Sequence, residues 1–220
     1  MVRLSTPKPA RRRLAAAERR EVIVRAATEL FAERGYHPAA MQEIARRAGV
    51  TPPVLYDHFS SKEDLYQQLL ARHRRELLAI WREHLQGDGP FQARVESSLR
   101  AWATYVREHP FAVRMLFRDT TGDPAAGARY RAEQARARAD LTPLFGSFPA
   151  AAEFVNAAGT PAALEMAVEL TRSALTGLAI WWYDHPEVTA DQVVTVAMNT
   201  LWVGLGRLAG GETWRSEPGA

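Results

Sequence analysis

The run IARRAGVTPPVLYDHFSSKEDL spans residues 44–65. Met41, Ile44, Ala45 and Ala48 fall at helical spacing and predict a short helix over about Met41–Ala48. Gly49-Val50 interrupts it, because glycine accepts the left-handed turn that a sharp break needs. Thr51 is placed to cap a second short helix. Pro52 stands at that helix's first position, where a missing N–H costs nothing. Leu55 and Phe59 point inward. Ser60 or Ser61 then caps a long helix beginning near Lys62 and running to about Leu85. Two short helices joined at a glycine, with small alanines at the crossing, make a helix-turn-helix. In that motif the first helix braces on the phosphate backbone and the second lies in the major groove.

Upstream, Ile23, Ala26, Ala27, Leu30 and Phe31 form one apolar stripe, with Glu18, Arg19, Arg25, Glu29 and Glu33 largely off it. That predicts a helix stopped at Gly35 in a left-handed C′ conformation. Residues 1–17, with two prolines and a three-arginine run, read as a disordered basic arm. Downstream, Gln86-Gly87-Asp88-Gly89-Pro90 is a break. Helices are then expected over about Phe91–Glu108, Pro110–Arg118, Ala125–Leu141 (ending before Pro143), Pro161–Tyr183 and Thr189–Leu208. No strand alternation and no internal repeat is evident, so the expected class is all-α.

The 220 residues are 47% hydrophobic and 24% charged, ordinary for a globular protein. No stretch approaches the ~18–20 consecutive apolar residues of a membrane span. The start, MVRLSTPKPARRR, lacks the apolar segment of a secretory signal. With no cysteine, disulfides and thiolate metal sites are excluded, and a cytoplasmic location is expected. The net charge of +3 is divided unevenly. Residues 1–82 carry 16 Lys+Arg against 9 Asp+Glu, and residues 83–220 carry 12 against 16. A basic first third suits binding to nucleic acid. Neither a glycine-rich phosphate loop, a metal-spaced His/Asp/Glu cluster nor a G-x-S-x-G turn is present, so no catalytic residues, metal or cofactor are expected. Asp184-His185, before Pro186, reads as a helix C-terminal cap.

Ile44-Ala45, Ala48-Gly49-Val50-Thr51 and Leu55-Tyr56-Asp57-His58-Phe59-Ser60-Ser61-Lys62-Glu63-Asp64-Leu65 resemble the signature of the TetR family of transcriptional regulators. Ala27, Leu30, Phe31 and Gly35-Tyr36 resemble the family's first helix. The resemblance covers about residues 20–70. It implies that Thr51, Pro52, Pro53 and Val54 face bases and nearby phosphates, and that Tyr56 and Lys62 contact phosphates. Asp57 and His58 flank the recognition face, and Gln42 is a backbone contact from the bracing helix. The chain departs from the family where a hydroxyl residue often precedes the bracing helix: here stand Ala39, Ala40 and Met41. It departs again at Pro52-Pro53, which cannot donate hydrogen bonds. Base reading then leans on Thr51, on contact of Pro53 or Val54 with thymine methyls, on His58, and on Asp57 accepting from cytosine N4.

Three segments follow from this: the arm at 1–17, a helix-turn-helix domain at 18–64, and a ligand-binding and dimerisation domain at 65–212. The last two long helices are apolar on more than one face, which calls for burial on more than one face. The expected dimer interface uses Leu175, Leu178, Trp182, Met198, Leu201, Trp202 and Leu205 in a four-helix bundle, the arrangement the resemblance also implies. In TetR-like proteins the middle helices enclose a ligand cavity. Trp102, Tyr105, Phe111, Met115, Phe117 and Trp181 are the expected lining, suited to a hydrophobic or aromatic effector. The expected function is a homodimeric repressor released from a palindromic double-stranded operator by that effector. The alternative is a DNA-binding regulator of the same fold with no small-molecule effector.

Overall fold

In the computed structural model, which describes residues 15–110, 112, 124–148 and 151–203, helix α1 spans Ala16–Arg34. Its alanines lose no side-chain entropy on becoming helical. The Glu18 carboxylate reaches back to accept from the Ala15 N–H at 3.0 Å, half of a capping box. The helix therefore begins inside the stretch expected to be an arm, and residues 1–14 lie outside the described residues. All of Ile23, Ala26, Ala27, Leu30 and Phe31 are buried. Gly35 ends α1 with φ 82° and ψ 176°. This is not the left-handed helical conformation expected but an extended one at positive φ, which is essentially open only to glycine.

Helices α2 (Met41–Ala48) and α3 (Pro52–His58) follow. Gly49 does adopt the left-handed conformation, φ 66° and ψ 27°. The Val50 N–H donates to Ala45 O at 3.0 Å and the Gly49 N–H to Arg46 O at 3.2 Å, closing the turn. Thr51 occupies the cap of α3, but its side chain accepts no capping bond. The prolines at the first two helical positions remove two of the N–H groups it might have served. Helix α4 runs Lys62–Leu85, and both expected serines serve it. Ser61 Oγ accepts from the Asp64 N–H at 3.0 Å, and Asp64 Oδ2 accepts from the Ser60 N–H at 2.9 Å.

After the glycine break come α5 (Phe91–Glu108), α6 (Pro124–Gly146), α7 (Ala151–Ala158), α8 (Ala163–Tyr183) and α9 (Ala190–Ala197), the last continuing as a π-helical turn, Met198–Trp202. The described residues hold helices and no strand. Helix α6 does not stop before Pro143 but passes through it to Gly146. Pro143 forfeits its own backbone bond to the carbonyl four residues earlier, and the buried Leu144 beyond it rewards continuation. The expected helix over Pro110–Arg118 falls mostly outside the described residues. His185 Nδ1 lies 2.7 Å from Trp181 O, the C-terminal cap expected of Asp184-His185.

Two cores result. The first packs α1, α2 and α3 on the start of α4, through Leu65, Leu69 and Leu70. The second gathers Leu85, Leu99, Trp102, Ala179, Trp182 and Val193 from α4, α5, α8 and α9. The first core extends to Leu70, so a division between residues 64 and 65 would cut through it. Trp182 is wholly buried, and its indole N–H donates to Val188 O at 2.8 Å. Truncating so large a core side chain to alanine costs about 3–5 kcal/mol.

Candidate nucleic-acid interface

The first core presents one face of α3 outward. Leu55 and Phe59 are buried beneath it, while Thr51, Pro52, Pro53, Tyr56 and Asp57 are exposed and Val54 and His58 half-buried. Tyr56, which the sequence alone could place in the core or at a phosphate, is 47% exposed. Phe59 is core, with the Arg20 guanidinium 5.1 Å from its ring centroid. Over Pro52–His58 no side chain is Lys, Arg, Asn or Gln. The donors on this face are the hydroxyls of Thr51 and Tyr56 and the imidazole of His58.

Helix α2 is fastened to α1 by charge. The Arg47 guanidinium grips Glu33 with both nitrogens, at 2.9 and 2.6 Å, and Arg34 meets Glu43 at 2.8 Å. Exposed pairs of this kind contribute at most about 1 kcal/mol each, but they fix the angle at which α2 crosses. Gln42 is exposed on α2 as a backbone contact requires, and so is Arg46, whose side chain is 75% exposed. The start of α2 has no side-chain cap at Ala40, as its lack of a hydroxyl implied.

Lys62, expected at a phosphate, is engaged within the headpiece. Its ammonium donates to the carbonyl oxygens of Tyr36 at 3.0 Å, His37 at 3.1 Å and Ala39 at 3.1 Å, and lies 4.5 Å from the Tyr36 ring centroid. An ammonium has three N–H donors, and three carbonyls occupy them. The adjacent Glu63 accepts from the Tyr36 hydroxyl at 2.7 Å.

Residues 23–69 match the family model described as "Bacterial regulatory proteins, tetR family". Over those residues the chain is similar to the DNA-binding headpiece of the TetR family. It is 38% identical over 120 residues to the HTH-type transcriptional activator FasR of Mycolicibacterium smegmatis, an alignment covering 54% of this chain and 55% of that one. The chain thus spans about half the length of this relative. A TetR-like regulator from Rhodococcus sp. RHA1 superposes with a TM-score of 0.64 at 21% identity, covering 88% of this chain and 99% of that one. The regulator FadR of Bacillus subtilis, solved in complex with stearoyl-CoA, superposes with a TM-score of 0.63 at 15% identity, covering 88% and 100%. At such identities these structures establish a TetR-like fold alone.

Beyond the headpiece, several residues stand elsewhere than expected. Of the proposed cavity lining, Trp102 is packed in the second core. Trp181 is 46% exposed and stacks on His185 with ring centroids 3.9 Å apart. Phe111, Met115 and Phe117 lie outside the described residues. Tyr105 is buried in a polar cluster that the sequence does not announce: its hydroxyl lies 2.6 Å from His73 Nδ1 and donates to Glu76 at 3.1 Å. Arg72 ties Glu76, at 2.9 Å, to Glu21 of α1, at 2.7 Å. Burial pushes the Glu76 carboxyl up, but hydrogen bonds from His73 and Arg72, with their charge, hold it at about 2. Burial, then the Glu76 charge, pushes the Tyr105 phenol up. The i, i+3 pair His73–Glu76 was the available signal.

The residues expected at a dimer face are divided. Leu175 and Trp182 are buried in the chain's own core, and Leu178, Met198 and Leu201 pack half-buried against it. The Trp202 side chain and Leu205 lie outside the described residues. Left uncovered on α8 are Met166, Leu170, Ala174, Gly177 and Trp181, spaced along one face, with Val196 and Val203 following α8 in the chain. Both faces of α8 are apolar, so periodicity could not tell which one turned inward.

Proposed function

We propose that this protein is a homodimeric, sequence-specific DNA-binding regulator whose two α3 helices read the half-sites of a pseudo-palindromic operator. The supporting observation is the exposed face Thr51, Pro52, Pro53, Tyr56 and Asp57, held rigid from below by Leu55 and Phe59. With no Arg, Lys, Asn or Gln on α3, the bidentate readout of guanine or adenine is not available to that helix. Pro53 and Val54 instead meet thymine methyls, Thr51 and His58 make single hydrogen bonds, and Asp57 accepts from a base amino group such as cytosine N4. Tyr56 donates to a phosphate, and Gln42 contacts the backbone from α2. The uncovered face of α8 pairs with that of a second copy and sets the half-sites about one helical turn apart.

The body is proposed to bind an apolar small-molecule effector that favours a conformation unable to span the operator. Support comes from FadR, which is solved with stearoyl-CoA. Of the expected lining, Trp102 is packed in the core and Trp181 lies at the surface. The second reading is a regulator without an effector. FasR is named an activator; for this chain, effector release from DNA would mean repression when the operator overlaps the promoter.

Selection from a random duplex library at two salt concentrations tests the reading. The expected result is an enriched palindrome whose affinity falls steeply with salt. Replacing thymine by uracil in the recovered site should weaken binding, and Asp57→Asn should change the preferred base at one position per half-site. Recovery of no sequence at either salt would defeat specific recognition by α3.

A further inference from the structure

The ammonium of Lys62 is held by three acceptors, and all of them are main-chain oxygens of one loop. Residues 35–40 join α1 to α2, and they contain both Gly35 at positive φ and Ala40, which leaves α2 without a side-chain cap. The connection packs into the first core through Ala39 and Tyr36. Its carbonyls at Tyr36, His37 and Ala39 converge on Lys62 at 3.0–3.1 Å. The Tyr36 ring faces the same ammonium, and the Tyr36 hydroxyl is held by Glu63, the next residue of α4. Tyr36 also packs at 4.9 Å from Tyr66, one turn further along α4. The first two turns of α4 thus grip the loop with a cation, a carboxylate and an aromatic ring. A positive charge at a helix N-terminus opposes the helix dipole, so Lys62 needs the local negative field that three carbonyl oxygens supply.

We propose that Lys62 is a positioning residue for DNA reading rather than a phosphate ligand. It locks the α1–α2 loop onto α4 and thereby sets where α2, and through the Gly49 turn α3, stand relative to the rest of the headpiece. The phosphate-facing charge on this side then falls to other groups, Arg46 of α2 being a well exposed one.

The distinction is measurable, because a phosphate ligand leaves a signature in salt dependence that a positioning residue does not. Removing a phosphate-neutralising side chain from both subunits of the dimer reduces the slope of log K against log salt by about 1.8, which is about 0.9 for each contact. Binding of the dimer to a mixed-sequence duplex and to the selected operator would be measured across a salt series for the wild type, Lys62→Met, Lys62→Arg and Arg46→Ala. Amide hydrogen exchange over residues 35–40 would be measured on the same proteins without DNA. The expected result for Lys62→Met is faster exchange in the loop, weaker preference for the operator over the mixed-sequence duplex, and an unchanged salt slope. Arg46→Ala should instead lower the slope and leave the loop protected.

Lys62→Arg separates the two roles again. A planar guanidinium retains the charge but cannot point its donors at three converging carbonyls. It should fail to restore loop protection or operator preference, whereas a phosphate ligand would be rescued. A reduced slope in Lys62→Met with the loop still protected, or full rescue by Lys62→Arg, would overturn the proposal. The inference rests on the DNA-binding reading for its salt arm only. If no variant and no wild type binds DNA, the exchange data still report whether Lys62 holds the loop.

Discussion

Gly49 shows how much a single position can be asked to do. Its φ of 66° places it where side chains with a Cβ are strained, yet nothing lies within 4 Å of where a Cβ would sit. Substitution there therefore costs backbone strain alone, about 1–2 kcal/mol. Gly49→Val should lower stability by that amount in urea unfolding, and Gly49→Asn by less, since asparagine tolerates the left-handed region. Equal losses would mean a steric clash that the geometry does not contain. Gly49, Leu55 and Phe59 were legible in the sequence because each answers to a local rule: turn geometry, or burial at helical spacing. Lys62 was not. An ammonium suits a phosphate and a carbonyl equally well, and only the path of residues 36–39, brought in from another part of the chain, decides between them.

At the scale of elements, α4 was readable from its serine caps to its glycine stop, and its polar partners were not. Glu76 has an ordinary carboxyl value of 4.5 when nothing perturbs it and about 2 in the folded protein. As pH falls the unfolded chain takes up this proton first, so the unfolded state gains. The stabilising contribution of Glu76 is complete above about 4.5 and disappears by about 2. Urea midpoints should fall over that window in the wild type, and less steeply in Glu76→Gln, which cannot titrate. Parallel profiles would mean the cluster does not hold the carboxylate ionised. A second element-scale test concerns Tyr105→Phe, which removes the hydroxyl shared by His73 and Glu76 while those two keep their contact with each other at 3.1 Å. A loss of about 0.5–1.5 kcal/mol in chemical denaturation is expected. The end of helix α6 escaped the sequence for a related reason. Proline is a reliable stop only where burial beyond it offers nothing, and Leu144 lies one residue past Pro143.

For the whole molecule, the outward face of α8 sets the expectation. Leu170 is 73% exposed and Met166 58%, on a helix whose opposite side is already packed. Leu170→Glu should shift sedimentation from dimer to monomer with the helical content intact, because no intramolecular core is touched. Leu175→Glu should unfold the body instead. If Leu170→Glu remains dimeric, the pairing face lies elsewhere. That the molecule is all-helical was plain from periodicity. Which apolar side of α8 looks inward was not, since that depends on α5, α6 and α9, elements outside α8 itself.

Lys62 is one of two lysines in the chain, the other being Lys8. Its engagement by three carbonyls therefore has a chemical consequence. An amine-directed acylating reagent must displace those carbonyls to reach the nitrogen, so Lys62 should acquire label far more slowly in the folded protein than in urea. The rate at which Lys62 is modified then becomes a clock for opening of the headpiece, read by mass spectrometry on the unaltered sequence.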